Sequence, residues 1–235
     1  MILTVNETGS TNADLLRDAA TLPEGTWLRA ERQTGGRGRL GRHWQSPAGN
    51  LYASTLVRAM PGDPDAPGLA LVAGVAVHAA AAVWAGAHVG ALRLKWPNDL
   101  LVDGAKLAGI LLERSGNAIV IGIGVNLAAA PNGLGRPTMS MSTLTGTPPD
   151  PAAFLDDLAR ELALWLGRWR AQGLSVVRTA WLERAHGVGS ALSAQGADGV
   201  RYEGLFDGLD QDGALRLRLA DGSVEIIRAG DVLLI

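Results

Sequence analysis

An α+β fold is predicted: a helix-and-strand domain over residues 1–186, followed by a small β domain over residues 187–235. Three observations carry it. Strand-like and helix-like segments alternate irregularly through the first part, with a strand, Ala118–Val125, that is apolar on both faces and so reads as central and buried. A long Ala/Val-rich stretch, Leu69–Ala87, reads as a buried helix. From about Gly187 the pattern changes to short alternating strands divided by Asp-Gly and Gly-Ala turns, including Asp212-Gly213 and Asp221-Gly222.

The elements follow in order. Ser10-Thr11-Asn12 supply N-cap chemistry for a first helix in which Leu15, Leu16, Ala19 and Leu22 share a face, stopped by Pro23-Glu24-Gly25. Thr26–Glu31 is a strand, and Gln33–Pro47 a polar loop with four glycines. Leu51–Arg58 is β-branched and aromatic enough for a strand, and Pro61–Pro67 links it to the long apolar helix. Leu92–Lys95 and Leu100–Val102 are short strands, and Asp103-Gly104 turns the second into Leu107–Glu113 as a hairpin. Residues Ala128–Pro149, rich in Pro, Gly, Ser and Thr, form a long loop. Pro151–Arg170 is a helix with Phe154, Leu158, Leu162, Trp165 and Trp169 on one face, and Val176–Ala185 a second.

Composition removes several function classes. The 235 residues include no cysteine, which excludes thiol nucleophiles, disulfide frameworks and Cys-based zinc sites. Four scattered histidines show no H-x-x-x-H spacing. A net charge of -2 argues against non-specific nucleic-acid binding. The N-terminus lacks the basic-then-apolar plan of a signal peptide, and Leu69–Ala87 has no basic flank to orient it in a membrane, so a cytoplasmic protein with no membrane partner is expected. Of 21 basic residues only Lys95 and Lys106 are lysines. Arginine is used wherever a generic cation suffices. Two lysines within twelve residues therefore mark a segment that needs a compact point charge.

Three constellations carry chemistry. Gly35-Gly36-Arg37-Gly38-Arg39-Leu40-Gly41-Arg42 combines a backbone that can approach a ligand closely with three forked cations suited to carboxylate or phosphate. Read alone, it is equally an anion clamp or a solvated basic loop. The second is Lys95-Trp96-Pro97-Asn98-Asp99-Leu100 with Lys106-Leu107-Ala108-Gly109. Asn98 and Asp99 fit the turn that Pro97 sets and offer nucleotide or Mg²⁺ contacts, although Lys95 and Asp99 also fit a surface ion pair of little worth. The third is Gly122-Ile123-Gly124-Val125-Asn126. Two glycines in a buried strand suggest a cavity wall, and Asn126 at its end is either a nucleotide contact or a turn cap. No Walker-type phosphate loop occurs, and Gly122-Ile123-Gly124 lacks the third glycine of a dinucleotide fingerprint.

In this order, these segments resemble the biotin–protein ligases. The matching stretches are Ser10-Thr11-Asn12, Glu31-Arg32-Gln33, Gly36–Arg39 with Gly41-Arg42, Trp44, Ser46-Pro47, Asn50-Leu51-Tyr52, Lys95–Leu100, Lys106–Leu111 and Gly122–Asn126. They cover residues 8–128 densely and the remainder weakly. The resemblance implies a class II synthetase-like mixed sheet packed by helices, with a small SH3-like β-barrel at the C-terminus. It implies that ATP, with Mg²⁺ arriving on the nucleotide, activates biotin to biotinyl-5′-AMP. A lysine of a biotin carboxyl carrier protein domain then takes the biotinyl group. By the same resemblance Ser10, Thr11, Asn12, Gln33, Gly36, Arg37, Gly38, Arg39, Lys106 and Gly109 bind biotin. Arg39, Arg42, Trp44, Asn98, Asp99 and Asn126 serve the nucleotide, Lys106 and Arg39 are catalytic, and a homodimer is expected.

Three departures from the family pattern stand out. Only nine residues precede Ser10, which leaves no room for the DNA-binding domain of the repressor members, so a ligase without DNA as partner is expected. Leu40 stands where an arginine often occurs. Gln45 and the loop 128–136 offer no aromatic cover for adenine. The nearest competing reading is a lipoate or octanoate ligase or transferase of the same superfamily. A nucleic-acid-binding protein using the Arg loop is a more distant one, disfavoured by net charge and few aromatics.

Overall fold

The computed structural model describes residues 1–131, 133, 135–196 and 199–234. Asn132 and Leu134 of the expected long loop, and Ile235 at the end of the last expected strand, lie outside the described residues. Seven strands form the main sheet: β1 (Ile2–Thr8), β2 (Trp27–Gln33), β3 (Leu51–Arg58), β4 (Leu92–Lys95), β5 (Asp99–Val102), β6 (Ala105–Ser115) and β7 (Ala118–Val125). Their spatial order is β1-β2-β3-β7-β6-β5-β4, and β1 runs parallel to β2 while the remaining pairs are antiparallel. The two-faced apolar strand, β7, is the central one, paired along its whole length on both sides. β1 has no counterpart in the sequence reading because it is an edge strand, largely exposed and without strict alternation.

Period-two geometry sorts the central strands onto two faces. Ile119, Ile121, Ile123 and Val125 of β7, with Ala53 and Val57 of β3 and Ala108 and Ile110 of β6, join the large core. Against them lies α2 (Leu69–Ala85), a helix that buries eleven of its residues inside the protein. It is long and apolar enough to cross a membrane by composition, but its burial makes it the core helix. Outside it pack α4 (Pro151–Gln172) and α5 (Leu174–Arg184). Asp150 caps α4 by accepting from the Ala152 and Ala153 N–H groups, both at 2.9 Å. Its predicted apolar face of Phe154, Leu158, Leu162, Trp165 and Trp169 is buried throughout. A short helix, α3 (Met141–Thr145), capped by Ser140, interrupts the long loop that composition alone suggested.

The other face of the sheet is half covered. Leu56, Ala118 and Val120 take Leu15 and Ala19 from α1 (Thr11–Asp18) and its C-cap, together with Leu28. Beyond Val120 the same face of β7 carries only Gly122 and Gly124. Helix α1 begins beside them, its Ser10 cap accepting from Ala13 N–H at 3.4 Å. One face of one strand is therefore packed at one end and open at the other.

Five antiparallel strands form the second sheet: β8 (Ala191–Gly196), β9 (Arg201–Leu209), β10 (Leu215–Arg218), β11 (Val224–Ile227) and β12 (Gly230–Leu234), in the order β11-β10-β9-β8-β12. Among the described residues β11 and β12 do not pair with each other, so the sheet is open at its edges rather than closed as a barrel. Leu192, Phe206, Leu215 and Leu217 belong to the same core as α2. Trp96 Nε1 donates to Gly213 O at 3.1 Å and Lys95 Nζ to Val232 O at 2.9 Å. The first contact ties the turn between β9 and β10 to the main sheet, and the second seats β12 at the rim of the open face.

Candidate active site

The bare half of that face is the floor of a cleft. The antiparallel register sets Gly109 of β6 opposite Gly124 of β7, and Ser54 of β3 opposite Gly122. Both openings are filled by side chains from elsewhere. A Cβ on Gly124 would lie 2.6 Å from the Trp44 ring, and one on Gly109 would lie 2.9 Å from it. A Cβ on Gly122 would intrude into the Asn12 amide, 2.8 Å from its Cγ. Gly122→Ala therefore forces apart groups held on both sides. Overpacking of this kind costs about 1–3 kcal/mol. A thermal midpoint within 1 °C of the parent, roughly the shift of a few tenths of a kcal/mol, would contradict the close packing.

Lys106 reaches the cleft because β6 is bulged. Asp99 pairs with Gly109 and Leu100 with Ala108, but Leu101 pairs with Lys106, so Leu107 is the extra residue. Strict alternation back from Gly109 would put Leu107 in the cleft and Lys106 in the core. The bulge reverses this: Leu107 is fully buried in the core and Lys106 lines the cleft. Asn126 holds the bulge. Its Nδ2 donates to Lys106 O at 3.3 Å and to Met139 O at 3.1 Å, and its N–H donates to Leu107 O at 2.9 Å. Asn126 is thus placed behind the cleft, clamping the backbone of Lys106, and not in its lining.

Electrostatics concentrate on Asp99, the first residue of β5 and 5% exposed. Lys106 Nζ donates to its Oδ1, Lys95 Nζ lies 3.2 Å from Oδ2, and Arg136 lies 3.7 Å from Oδ2. The surface ion pair that spacing allowed for Lys95 and Asp99 is in fact a buried carboxylate ringed by three cations, of which Lys106 is itself buried. Burial pushes the Asp99 carboxyl up, but Lys106 and then Lys95 outweigh it and hold the group below the usual carboxylate range. Burial, with Arg136 and Lys95 adding to it against the opposing pull of Asp99, brings Lys106 down to about 8. Lys106 also lies 5.3 Å from the Trp44 ring centroid, within cation–π range.

The glycine/arginine loop closes the cleft from above. Arg37 pairs with His43 through an isolated bridge, and Gly38 N–H donates to Arg42 O at 2.7 Å, so the loop is a small closed turn. Leu40, at its tip, has φ 56° and is 80% exposed. Its side chain points to water, so it adds nothing to the cleft. Arg42 donates to Asp231 at 2.8 Å, and Arg39 approaches the same carboxylate at 4.0 Å. Arg39 Nη1 and Trp44 Nε1 are both buried with no hydrogen-bond acceptor among the described residues. Buried donors without partners are costly in a closed protein, and here both face a cleft that a ligand can fill.

Of the residues singled out in the sequence, Ser10, Thr11, Asn12, Gln33, Arg37, Gly38, Arg39, Arg42, Trp44, Asn98, Asp99, Lys106 and Gly109 line this one cleft. Gly36 stands just behind it, where a Cβ would lie 2.8 Å from Trp44 O. Asn98 donates to Ile110 O at 2.6 Å, tying the turn to β6. Sequence reasoning missed Ser54, Glu113, Arg136 and Asp231, and it singled out Lys95 without assigning it to the site. The signal for Lys95 was its rarity, as one of only two lysines. Among the described residues no group of three or more His, Asp or Glu side chains could hold a metal ion, and both oxygens of Asp99 are already engaged by cations. A resident metal does not fit this donor set.

The model for the biotin/lipoate A/B protein ligase family matches residues 5–126, more than half of the chain, and includes every lining element of the main sheet. The chain belongs to that family. A second model, the biotin protein ligase C-terminal domain, matches residues 194–234. A protein named biotin–[acetyl-CoA-carboxylase] ligase from Paracoccus denitrificans is 40% identical, the match covering 96% of this chain and 97% of that protein. One of the same name from Mycobacterium tuberculosis (strain ATCC 25618 / H37Rv) is 36% identical, covering 97% and 86%. Among solved structures, the biotin protein ligase from Aquifex aeolicus in complex with biotin and ATP superposes with a TM-score of 0.88 at 25% identity, covering 100% of this chain and 99% of that one. Within the family frame, the glycine floor, the buried lysine and the arginine loop of this chain form one continuous site.

Proposed function

We propose that this chain is an ATP-dependent biotin–protein ligase acting on a lysine of a biotin carboxyl carrier protein domain. The observation that carries the reading is the convergence of Lys106, Arg39 and the Ser10–Asn12 turn on one glycine-floored cleft. The biotin carboxylate attacks the α-phosphorus of ATP, the bond to pyrophosphate breaks, and biotinyl-5′-AMP forms. The acceptor amine then attacks the acyl carbon and AMP leaves. Charge accumulates on the α-phosphate oxygens in the first step, and a pre-placed ammonium and guanidinium stabilise it without reorganisation. Ser10, Thr11, Gln33 and the Gly109 and Gly122 floor take the ureido ring, while Arg37 and Arg39 close over the acid and phosphate. Arg42, Trp44 and Asn98 lie on the nucleotide side. Arg39, with an unpartnered buried Nη1, is the loop cation most ready for an anion, whereas Arg42 is half exposed and occupied by Asp231. Magnesium enters on the nucleotide phosphates. An acyl adenylate hydrolyses in water, which gives the closing loop its purpose.

Purified protein incubated with ATP and biotin, lipoate or octanoate decides the substrate by which acid releases pyrophosphate; release with lipoate or octanoate alone would replace this reading by the related one. The lowered position of Lys106 adds a pH signature. The step needs the charged ammonium, so kcat/KM for adenylate formation is level below pH 8 and falls as pH rises through about 8. Pyrophosphate release followed between about pH 6.5 and 9.5 measures this; an unchanged rate across that range contradicts it.

Residues 1–186 and 187–235 are read as a catalytic domain and an SH3-like domain, and a cytoplasmic location suits a carrier-protein substrate. A homodimer is favoured by the β6 edge: β5 accompanies β6 only from Ala105 to Gly109, so its last residues have a strand partner on one side alone among the described residues. Such an edge can pair with its two-fold mate. A monomer in sedimentation with biotin and ATP bound rules this out.

A further inference from the structure

A chain of hydrogen bonds, buried at its centre, runs beneath the pocket from the edge of β6 to the head of α1. Asn12 Nδ2 lies 2.7 Å from Glu113 Oε2 and 3.4 Å from Leu111 O. Both neighbours are acceptors, so the atom there is the amide nitrogen, and Asn12 Oδ1 faces the other way. Ser54 Oγ lies 2.6 Å from Asn12 Oδ1 and therefore donates to it. Ser54 has one proton. Its second short contact, 2.6 Å to Thr11 Oγ1, must then have Thr11 as the donor. Thr11 also has one proton, now spent. Its longer 3.1 Å contact with Gln33 Oε1 consequently holds no proton and sets two acceptors side by side. The Gln33 amide is oriented independently: the Thr11 backbone N–H, a donor only, lies 2.9 Å from Oε1.

Both hydroxyl protons in this relay point toward Glu113, away from the cleft. Thr11 Oγ1 is left as an acceptor for whatever occupies the pocket, and Gln33 Nε2 as a donor. We infer that Glu113 and Ser54 are positioning residues that set the hydrogen-bond polarity of the pocket, matching it to a ring that offers an N–H beside a C=O. A cyclic urea has that pattern. This rests on the reading of the chain as a biotin ligase, and it assigns roles to two residues that stand behind the cleft lining. Ser54 is fully buried and Glu113 stands at the rim, 3.8 Å from Arg37. Gly122 is the residue that leaves room for the Asn12 amide in the middle of the relay.

The test compares biotin with its two cyclic carbamate analogues, in which one or the other ureido N–H is replaced by oxygen. Shape is kept, but a lone pair replaces a proton. Binding is measured by calorimetry on the whole chain, with ATP binding as control. The parent binds biotin and rejects one carbamate by about 100-fold, because two acceptors then face each other. In Ser54→Ala, the Thr11 proton is released from its shorter contact and can turn to Gln33 Oε1 or, when a carbamate oxygen faces it, into the pocket. The preference narrows to about 10-fold or less while ATP affinity is unchanged. Glu113→Lys places a donor opposite Asn12, releases or reverses its amide, and narrows the same ratio. It decides the matter alone if Ser54→Ala does not fold. A loss of the Arg37 contact affects biotin and carbamate alike and leaves their ratio unmoved. An unchanged ratio in a folded variant overturns the polarity relay and leaves the ligase reading intact. A parent chain that binds neither biotin nor a carbamate overturns both.

Discussion

Lys106→Ala lowers the rate of pyrophosphate release from ATP and biotin by about 10²-fold or more, the usual cost of removing one preorganised charge-stabilising donor. The ammonium is the compact point charge nearest the glycine floor, buried to 7% exposure and aimed by Asp99 on one side and the bulge on the other. Folding should be little affected. Asp99 keeps Lys95 and Arg136, so the substitution relieves an excess of like charge without stranding the carboxylate. The combination separates a catalytic role from a structural one: initial rates collapse while the thermal midpoint holds. A near-parental rate of pyrophosphate release removes Lys106 from the reaction.

Asp99→Ala has the opposite profile. It leaves the buried Lys106 facing the partly buried Lys95 and Arg136 with no anion, and breaking a buried pair in this way costs about 3–5 kcal/mol. At roughly 2–4 °C per kcal/mol for a chain of this size, the midpoint falls by about 10 °C. Activity falls as well, because the group that holds the Lys106 proton is gone. The pH dependence has a definite sign. With Asp99 removed, the folded-state pKa of Lys106 drops further below its ordinary value of 10.5. Between those two values the unfolded chain binds more protons than the folded one, so the variant regains stability as pH rises through that window. Denaturant titration at about pH 7 and pH 9.5 measures this. An equal loss at both pH values would mean that the lysines are not what the carboxylate restrains. In the parent, Asp99 contributes stability present above its ordinary pKa of 3.8 that is lost as pH falls through its lower folded value.

Much of the site is legible in the order of residues, because short-range chemistry is local to the chain. Ser10-Thr11-Asn12 reads as a helix cap and is one, with Thr11 and Asn12 in the first turn of α1. Asp103-Gly104 reads as a tight turn and joins β5 to β6, with both residues at positive φ. The arginine-biased composition makes Lys95 and Lys106 conspicuous, and both reach Asp99. The glycines of AIVIGIGV signal a cavity wall, and Gly122 and Gly124 line the cleft.

What stays hidden depends on register and on distance along the chain. Ser54 is an ordinary strand serine until β3 is paired with β7 and set opposite Gly122. Glu113 looks like a solvated residue near a hairpin end until α1 is laid across the sheet, 101 residues away in sequence. Asp231 becomes part of the rim only when β12 is seated by Lys95. A one-residue bulge decides whether Lys106 or Leu107 faces the ligand. Nothing in a period-two pattern announces a bulge, because alternation is a local rule and the pairing that breaks it is set by the neighbouring strand. By itself, then, the sequence determined most of the elements, the chemistry available and the resemblance to biotin–protein ligases. Only the tertiary structure decided which of those groups meet, since strand register and the packing of α1 and β12 bring together residues that share no local neighbourhood.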